Sequence, residues 1–537
     1  MESQFWADQL AEEIIARSKR EGSIPNIKCQ QTPSGGKHIG NLNDVARSYF
    51  PYKSLIDRGL QATFVHTTDD RDPLKDVPKR LPDLDGSWSL AKDLADMTPY
   101  LGMPLFKIPD PFGCCSSWSS HFTRVWMEGV NALGMRPDLY SVNDLYDQGK
   151  FEPYIRMVFE KREAVSRIVA KFQETKGESY IPFDAICPQC GRLANIDDFD
   201  LPSRTVHFVC GGKAIKKRKS EGCGFEGVVP WTQGKLQWRF EWPALWGIFR
   251  TTFEPFGKDH AEGSWPSGQV IARSIFGIEP PIPFVYEFFL VNSQKMSASV
   301  GNVYIVQDML KIMEPEIFLY FYTKRPGKQR DLDLAHIYML VDDFERAERI
   351  CYGMEKEPNE RDRQNIMRMY EMVMKKAEFP PVRVPYQFAA LIGQYATGED
   401  GIDRAIDLLR FTGHAKHAGK EDRPDIARRL ELAANWAKSY APPDAKITLN
   451  TEMPRVVMSP DEKLSLLALQ RELLKDRNEK ELQAAVYEIA KSHNIEARQF
   501  FQLLYRILIA RESGPRLGPF IVAIGKDRVV SLLEQLQ

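Results

Sequence analysis

Residues 24–67 carry the pattern that most narrows what this chain can fold into. Ile24 to Gln31 reads as a strand that runs into a turn-rich loop, Thr32-Pro33-Ser34-Gly35-Gly36. A helical signal follows from Asn41 to Asp57, with Gly59 suited to its C-terminal stop. Ala62 to Thr67 is apolar and β-branched and reads as a second strand. Strand, crossover helix, strand is the unit of a parallel α/β sheet. Phe284 to Val291 is another strand candidate, so a long insertion over residues 110–235 is expected between two α/β parts. After about residue 330 helical periodicity takes over, in Leu332 to Arg349, Arg361 to Lys376, Ile426 to Tyr440, Glu462 to Arg477 and Glu479 to Ser492. Ser459-Pro460-Asp461-Glu462 predicts a capping box. Ala441 to Ser459, with three prolines, is a break.

Hydrophobic residues are 43% and charged residues 27%, which excludes wholesale disorder. Lys+Arg (72) and Asp+Glu (73) leave a net charge of −1. That excludes a uniformly basic, histone-like protein but leaves room for a local basic face. No stretch approaches the ~20 apolar residues that span a bilayer; the dense run Pro283 to Val291 contains Glu287. Glu2 to Arg20 is amphipathic and charged, unlike a secretory signal, and reads as a surface helix. The expected setting is the cytoplasm, with no membrane partner.

Two loops carry phosphate chemistry. In Thr32-Pro33-Ser34-Gly35-Gly36-Lys37-His38-Ile39-Gly40-Asn41 the glycines permit close approach of a ligand to the backbone. The following helix N-terminus offers free amides to an anion, and His38 and Asn41 are placed to donate to phosphate oxygens. The bland alternative is a Gly-rich turn with a surface histidine. Lys295-Met296-Ser297-Ala298-Ser299 follows the strand Phe284 to Val291. A lysine at the carboxyl edge of a parallel sheet sits where such folds bind ligands and can neutralise a leaving pyrophosphate. Alone, that triplet is a weak signal.

Together, His38-Ile39-Gly40-Asn41 and Lys295-Met296-Ser297-Ala298-Ser299 resemble the HIGH and KMSKS signatures of class I aminoacyl-tRNA synthetases, in order and in placement. Thr32 to Asn41, Thr68-Asp69-Asp70-Arg71-Asp72, Trp238 to Trp246, Phe256-Gly257-Lys258-Asp259-His260, Tyr286-Glu287-Phe288 and Gly514-Pro515-Arg516-Leu517-Gly518-Pro519-Phe520 resemble the class I lysyl-tRNA synthetase family more specifically. The resemblance runs nearly end to end. It implies a Rossmann-like parallel-sheet catalytic domain in two halves (1–110 and 236–292) and a connective insertion (111–235) with a zinc module (187–223). It further implies a signature-loop and stem-contact region (293–350) and an all-α anticodon-binding domain (351–537). The implied reaction joins lysine and ATP to lysyl-adenylate, with Mg²⁺ shielding the phosphates, then passes lysine to the terminal adenosine of tRNA(Lys).

By the same resemblance His38, Asn41, Lys295 and Ser297 are catalytic, aligning the groups and stabilising charge. Thr32, Pro33, Ser34, Gly35, Gly40, Asp259, His260 and Met296 complete the ATP site. Thr32, Asp69, Asp70, Trp238, His260 and Tyr286 line the lysine pocket, where an apolar wall suits the substrate's stem. The chain departs from the family pattern at Ala298, where the signature has its second lysine, at Val300, where relatives often carry a lysine, and at Gln30, where they usually have a small residue.

The acidic run Asp69, Asp70, Asp72 follows a strand at the ligand-binding edge and suits an ammonium or a ribose hydroxyl. A glutamate-specific site would need a cation, typically Arg, and no Arg lies between Ile24 and His38. Of eight cysteines, Cys187-Pro188-Gln189-Cys190, Cys210 and Cys223 lie within 37 residues. A C-x2-C knuckle completed by two later thiolates is a tetrahedral zinc pattern of the structural kind. His207 is an alternative ligand, because twelve residues separate Cys210 from Cys223. The basic run Lys213 to Lys219 between them is a candidate contact for acceptor-stem phosphates. Phe500, Phe501 and Tyr505 read as either core or anticodon contacts. The rivals are a glutamyl-type class I synthetase, a catalytically inactive tRNA-binding relative, and a small-molecule adenylyltransferase; the helical tail argues against the last. A monomer is expected.

Overall fold

The computed structural model describes residues 5–172, 180–215, 218–297, 302–394, 398–412, 418–442, 449–450, 452–477, 479–514 and 516–536. Ala298, Ser299, Val300, Lys216, Lys217 and Pro515 lie outside the described residues. The chain divides into two compact units. The first comprises residues 1–309, 318–332 and 357–374, and the second residues 310–317, 333–356 and 375–537. Of the stretch 293–350, residues 293–309 and 318–332 belong to the first unit and 310–317 and 333–350 to the second.

The first unit is built on helix α1 (Trp6–Glu21), strand β1 (Asn26–Gln31), helix α2 (Leu42–Asp57) and strand β2 (Thr63–Thr68). Further along come α3 (Trp118–Ala132), β3 (Asp138–Ser141), α4 (Val142–Asp147), α5 (Trp238–Phe249), β4 (Phe253–Gly257), the short α6 (Lys258–Ala261) and β5 (Ile282–Tyr286). The five strands form one sheet in the order β3-β2-β1-β4-β5, parallel throughout. That is the doubly-wound nucleotide-binding order, and it reverses direction between β1 and β4. Phe64 and Val65 on β2, Ile27 and Cys29 on β1 and Phe253 on β4 are buried, as strands covered on both faces require. Helix α1 buries Ala7, Ala11 and Ile14 on one face, so it is half inside rather than a surface element.

The expected strand from Phe284 to Val291 splits in two. Ile282–Tyr286 stays in the central sheet, whereas Phe289–Val291 joins a three-stranded sheet with Gln294–Lys295 and Arg330–Leu332. Glu287 turns away to pair with Lys258 at 2.8 Å. Asn292 and Ser293 both have positive φ, 49° and 60°, which closes a tight hairpin. Lys295 therefore sits on the return strand opposite Leu290, not in a free loop. Within the stretch expected as the insertion, Asp138–Ser141 belongs to the central parallel sheet, and an antiparallel five-stranded sheet between Phe183 and Leu236 packs around Phe208 and Trp231.

The second unit is helical. Leu332 ends a strand, and Asp333 caps a short turn by accepting from the amide of Ala335 at 3.0 Å. The helix therefore runs over Tyr338–Cys351, shorter than the pattern predicts. Ser459 and Glu462 form the capping box, with bonds of 3.1 and 2.8 Å. Phe500 is fully buried and Tyr505 nearly so, in a core with Leu466 and Leu504. Buried Arg429 bonds Glu345 at 2.7 Å and Glu314 at 2.5 Å, so its charge is paired. No helix among the described residues is long and apolar enough to cross a membrane.

Candidate active site

The sheet's reversal point opens a crevice at the carboxyl ends of β1 and β4, the place where such sheets bind ligands. A cavity of 590 Å³ occupies it, lined among others by Gln31, Thr32, Asn41, Asp69, Trp238 and His260. β1 delivers the chain into the Thr32–Asn41 loop, which is tightly held. Trp118 Nε1 donates to the Pro33 carbonyl at 3.1 Å. Gly35 has φ +139°, and a Cβ there would stand 2.9 Å from Pro78, so a side chain is excluded twice over.

The two signature loops meet. The Ile39 amide donates to the carbonyl of Tyr304 at 2.8 Å, just beyond the second signature. A Cβ built on Gly40 would lie 2.8 Å from His38 Nδ1 and 3.3 Å from Met296 Cε. Asn302 accepts from the Ser297 amide at 2.8 Å and donates to the Lys295 carbonyl at 3.1 Å, closing the turn. Lys295 Nζ stands 3.6 Å over the Phe288 ring. His38 Nδ1 accepts from the Gly40 amide at 3.1 Å, which leaves the proton on Nε2. Burial, with Lys37 and Lys295 adding repulsion, pulls the His38 ring down to about 4. It is thus a neutral Nε2–H donor at physiological pH. Gly40→Ala should push the imidazole aside and lower ATP-dependent activity about tenfold to a hundredfold; steady-state kinetics against ATP would show it.

The acidic run divides its work because successive side chains point apart. Asp69 faces the cavity; its Oδ2 accepts from Thr32 Oγ1 at 3.3 Å, and its buried Oδ1 has no hydrogen-bond partner. Asp70 does not reach the cavity. It accepts from Ser141 Oγ (2.5 Å) and the Asn143 amide (2.8 Å), holding the start of α4, and unlike Asp69 it is not among the residues lining the cavity. Arg71 stays buried and donates to the carbonyls of Thr232 and Gly234, both at 2.7 Å. Asp72 pairs with Lys235 at 2.5 Å, and Lys235 also meets Glu241 at 2.9 Å. Burial pushes the Asp69 carboxyl well up, with Asp72 and Glu241 adding to it. Burial also acts on Asp72, but Lys235 and Lys75 outweigh it and hold that acid at about 2.

The opposite wall is aromatic. Trp238 stacks on Trp242, centroids 5.3 Å apart, and the His260 ring lies 5.7 Å from Trp238. Trp238 Nε1 and both amide atoms of Gln31 are buried without partners. Gln30 accepts from Lys28 Nζ at 2.6 Å, and Lys28 pairs with Glu254 at 2.8 Å beneath the cavity. The non-small residue at position 30 is thus absorbed by a buried ion pair. Tyr286 lines the cavity and donates to Asp44 at 2.6 Å. Asp259 also lines it. Asp44, Lys235, Glu241 and Glu254 escaped the sequence reading. A charged residue inside an apolar stretch, such as Lys235 before Leu236 or Glu254 after Phe253, is the signal that marks them.

Burial lifts Asp44 to about 7 from the ordinary carboxylate range. An acid raised on folding binds a proton more tightly in the folded chain. Its contribution is therefore fully present below about pH 4 and is lost as pH rises through 7. Asp44→Asn, which keeps an acceptor for Tyr286, should stabilise the protein by roughly 2–4 kcal/mol at pH 8 and little at pH 4. Urea unfolding at both pH values measures this.

In the insertion, Cys187, Cys190, Cys210 and Cys223 bring their sulfurs within 4.8 Å of one another. Cys187–Cys223 and Cys190–Cys210 are each 3.6 Å apart. Gly191, Gly212 and Gly224, all at positive φ, make the turns. His207 is not part of the group; it pairs with Asp197 at 2.6 Å. Of the basic run, Lys213–Ile215 and Arg218–Ser220 pair as antiparallel strands.

A family model described as tRNA synthetases class I (K) matches residues 4–376. A lysine–tRNA ligase of Halobacterium salinarum is 36% identical over 541 residues, spanning 99% of this chain and 97% of its own length. The lysine–tRNA ligase of Pyrococcus horikoshii is 34% identical, spanning 98% of this chain and 99% of its own. The crystal structure of a glutamate-tRNA synthetase from Elizabethkingia anophelis aligns over 96% of this chain and 99% of its own at TM-score 0.45 and 12% identity. With two signature loops meeting at the reversal point of a parallel sheet, and near full-length relatives above 30% identity, the chain belongs to the class I (K) family of tRNA synthetases.

Proposed function

We propose that the chain is a lysine–tRNA ligase that activates lysine with ATP and transfers it to the 3′-terminal adenosine of tRNA(Lys). The observation that carries this is the charge arrangement of the cavity. Asp69 keeps one buried oxygen unpartnered, whereas Lys235, a cation at the same wall, is committed to Asp72 and Glu241. No arginine is among the residues lining the cavity. A substrate ammonium gains a charge-assisted bond there; a substrate carboxylate would face Asp44, Asp69 and Asp259. The Trp238 ring suits the tetramethylene stem.

The Thr32–Asn41 loop cradles the triphosphate, with His38 Nε2–H as a donor beside the positive end of the α2 dipole. A lysine carboxylate oxygen forms a bond to the α-phosphorus. The α–β bridging bond breaks, and its electron pair leaves on pyrophosphate, where Lys295 offsets the charge. Mg²⁺, when bound to the phosphates, shields them. No covalent enzyme intermediate is needed. The terminal ribose hydroxyl then attacks the adenylate carbonyl and AMP departs.

The four-cysteine group fits a structural zinc ion, since its 3.6 Å sulfur pairs are near the roughly 3.8 Å edge of a tetrahedron with 2.3 Å zinc–sulfur bonds. Chelation at that group should lower the unfolding temperature of the insertion while leaving amino-acid choice unchanged, as calorimetry with and without chelator would record. The basic hairpin between Cys210 and Cys223 is assigned to the tRNA acceptor stem.

Charging of a tRNA(Lys) transcript with labelled lysine tests the whole proposal. Lysyl-tRNA should form and be lost in the His38→Ala variant. Binding of tRNA without any charging would favour an inactive relative.

A further inference from the structure

A buried ion pair beneath the cavity orients one of the side chains that line it. Gln30, half-buried near the carboxyl end of β1, lines the cavity, and its Oε1 accepts from Lys28 Nζ at 2.6 Å. An ammonium can only donate, so the carboxamide oxygen is the end turned to Lys28 and the Nε2 hydrogens are the end left for the cavity. Lys28 has nowhere else to go. Its side chain is 0% exposed and pairs at 2.8 Å with Glu254, which is 1% exposed. Glu254 in turn accepts from Trp242 Nε1 at 3.1 Å and from Trp246 Nε1 at 2.7 Å. Parting such a pair would leave a buried charge uncompensated, so the network holds the amide in one orientation. An amide whose oxygen already binds a cation is also a stronger donor through its nitrogen. Among the described residues Gln30 Nε2 has no hydrogen-bond partner.

The neighbouring strand supplies the complementary group. Gln30 pairs in register with Thr67 on β2, and Asp69 follows two residues later, so side-chain alternation puts Gln30 and Asp69 on one face of the sheet. A donor and an acceptor thus stand on adjacent strand ends. Asp69 keeps its unpartnered Oδ1 for an ammonium; whatever meets Gln30 Nε2 must accept. In lysine with both amines protonated, the carboxylate is the group that accepts. The cations lining the cavity do not compete for it. Lys75 and Lys235 both pair with Asp72, at 3.5 and 2.5 Å, and Lys37 lies in the phosphate loop, where it donates to Ser34 Oγ at 3.2 Å.

We propose that Gln30 Nε2 donates to the carboxylate of the bound lysine, and that this bond selects the amino acid over the corresponding amine. The inference rests on the lysine-activating reading above. Nε2 takes the carboxylate oxygen that does not attack, which leaves the second oxygen free to face the α-phosphorus. Lys28 and Glu254 act through Gln30 as positioning residues.

The test compares lysine with cadaverine, which has the same chain and both amines but no carboxylate. ATP–pyrophosphate exchange on the full-length protein gives the KM for lysine and for ATP, and competition against lysine gives the inhibition constant of cadaverine. Gln30→Met, similar in length but without the donor, should raise the KM for lysine about tenfold to a hundredfold, the worth of a hydrogen bond to a charged group. The KM for ATP and the cadaverine constant should stay within about twofold, because neither ligand loses a contact. Gln30→Ala should show the same split, and it covers the case in which the methionine variant does not fold. A KM for lysine unchanged in both variants, or equal losses for lysine and cadaverine, would overturn the proposal. A wild-type chain that drives no exchange with lysine would overturn the activation reading itself, and the proposal with it.

Discussion

Lys295→Ala is expected to lower lysine-dependent ATP–pyrophosphate exchange by about 10²–10³-fold, the usual loss when a preorganised donor to developing charge is removed. The loss should fall on kcat, with the KM for lysine nearly unchanged, because Lys295 lies at the phosphate end beside His38 and is not among the residues lining the cavity. Its ammonium rests on the exposed face of Phe288 at 3.6 Å, an interaction worth only about 0.5–1 kcal/mol to the fold. Folding and catalysis are thus separable in this variant. Ala298 and Val300 leave the second signature with one lysine, so no second ammonium within that signature stands in for the missing charge. An unchanged exchange rate would sink the assignment of Lys295 to the leaving pyrophosphate.

Asp69→Asn should be equally damaging, but at the other end of the site. Removing one member of a buried charge pair costs about 3–5 kcal/mol, so kcat/KM for lysine should drop by roughly two to nearly four orders of magnitude. The KM for ATP should change less, since Asp69 meets the Thr32–Asn41 loop through the Thr32 hydroxyl, at the loop's first residue. The same carboxyl is pushed up by burial, with Asp72 and Glu241 adding to it. Lysine binding must therefore ionise it, and the KM for lysine should rise as pH falls. Kinetics across a pH series for wild type and Asp69→Asn, with a flat profile in the variant, would establish the link.

The phosphate half of the site was readable in the sequence because its constraints are local. A glycine at position 35 or 40 answers to a backbone angle or to a ring two residues away, and such demands leave a compact motif. The parallel sheet was readable for a related reason: strand, loop, helix and strand each occupy one short run from Asn26 to Thr68. The lysine half depends on side-chain direction and distant pairing. Nothing in Asp69-Asp70-Arg71-Asp72 tells which carboxylate looks inward, and the partner that neutralises Asp72 is Lys235, 163 residues on. The hairpin that carries Lys295 hid behind a run, Phe284 to Val291, that is apolar except for Glu287, because the two strands within that run serve different sheets.

The central claim is that two distant loops clamp a triphosphate beside an acidic pocket that accepts lysine. ATP–pyrophosphate exchange with each of the twenty amino acids in turn, using His38→Ala as the blank, tests it most directly. Lysine should drive exchange at least a hundredfold above every other amino acid. Exchange driven by glutamate, or none with lysine at any concentration, would contradict it.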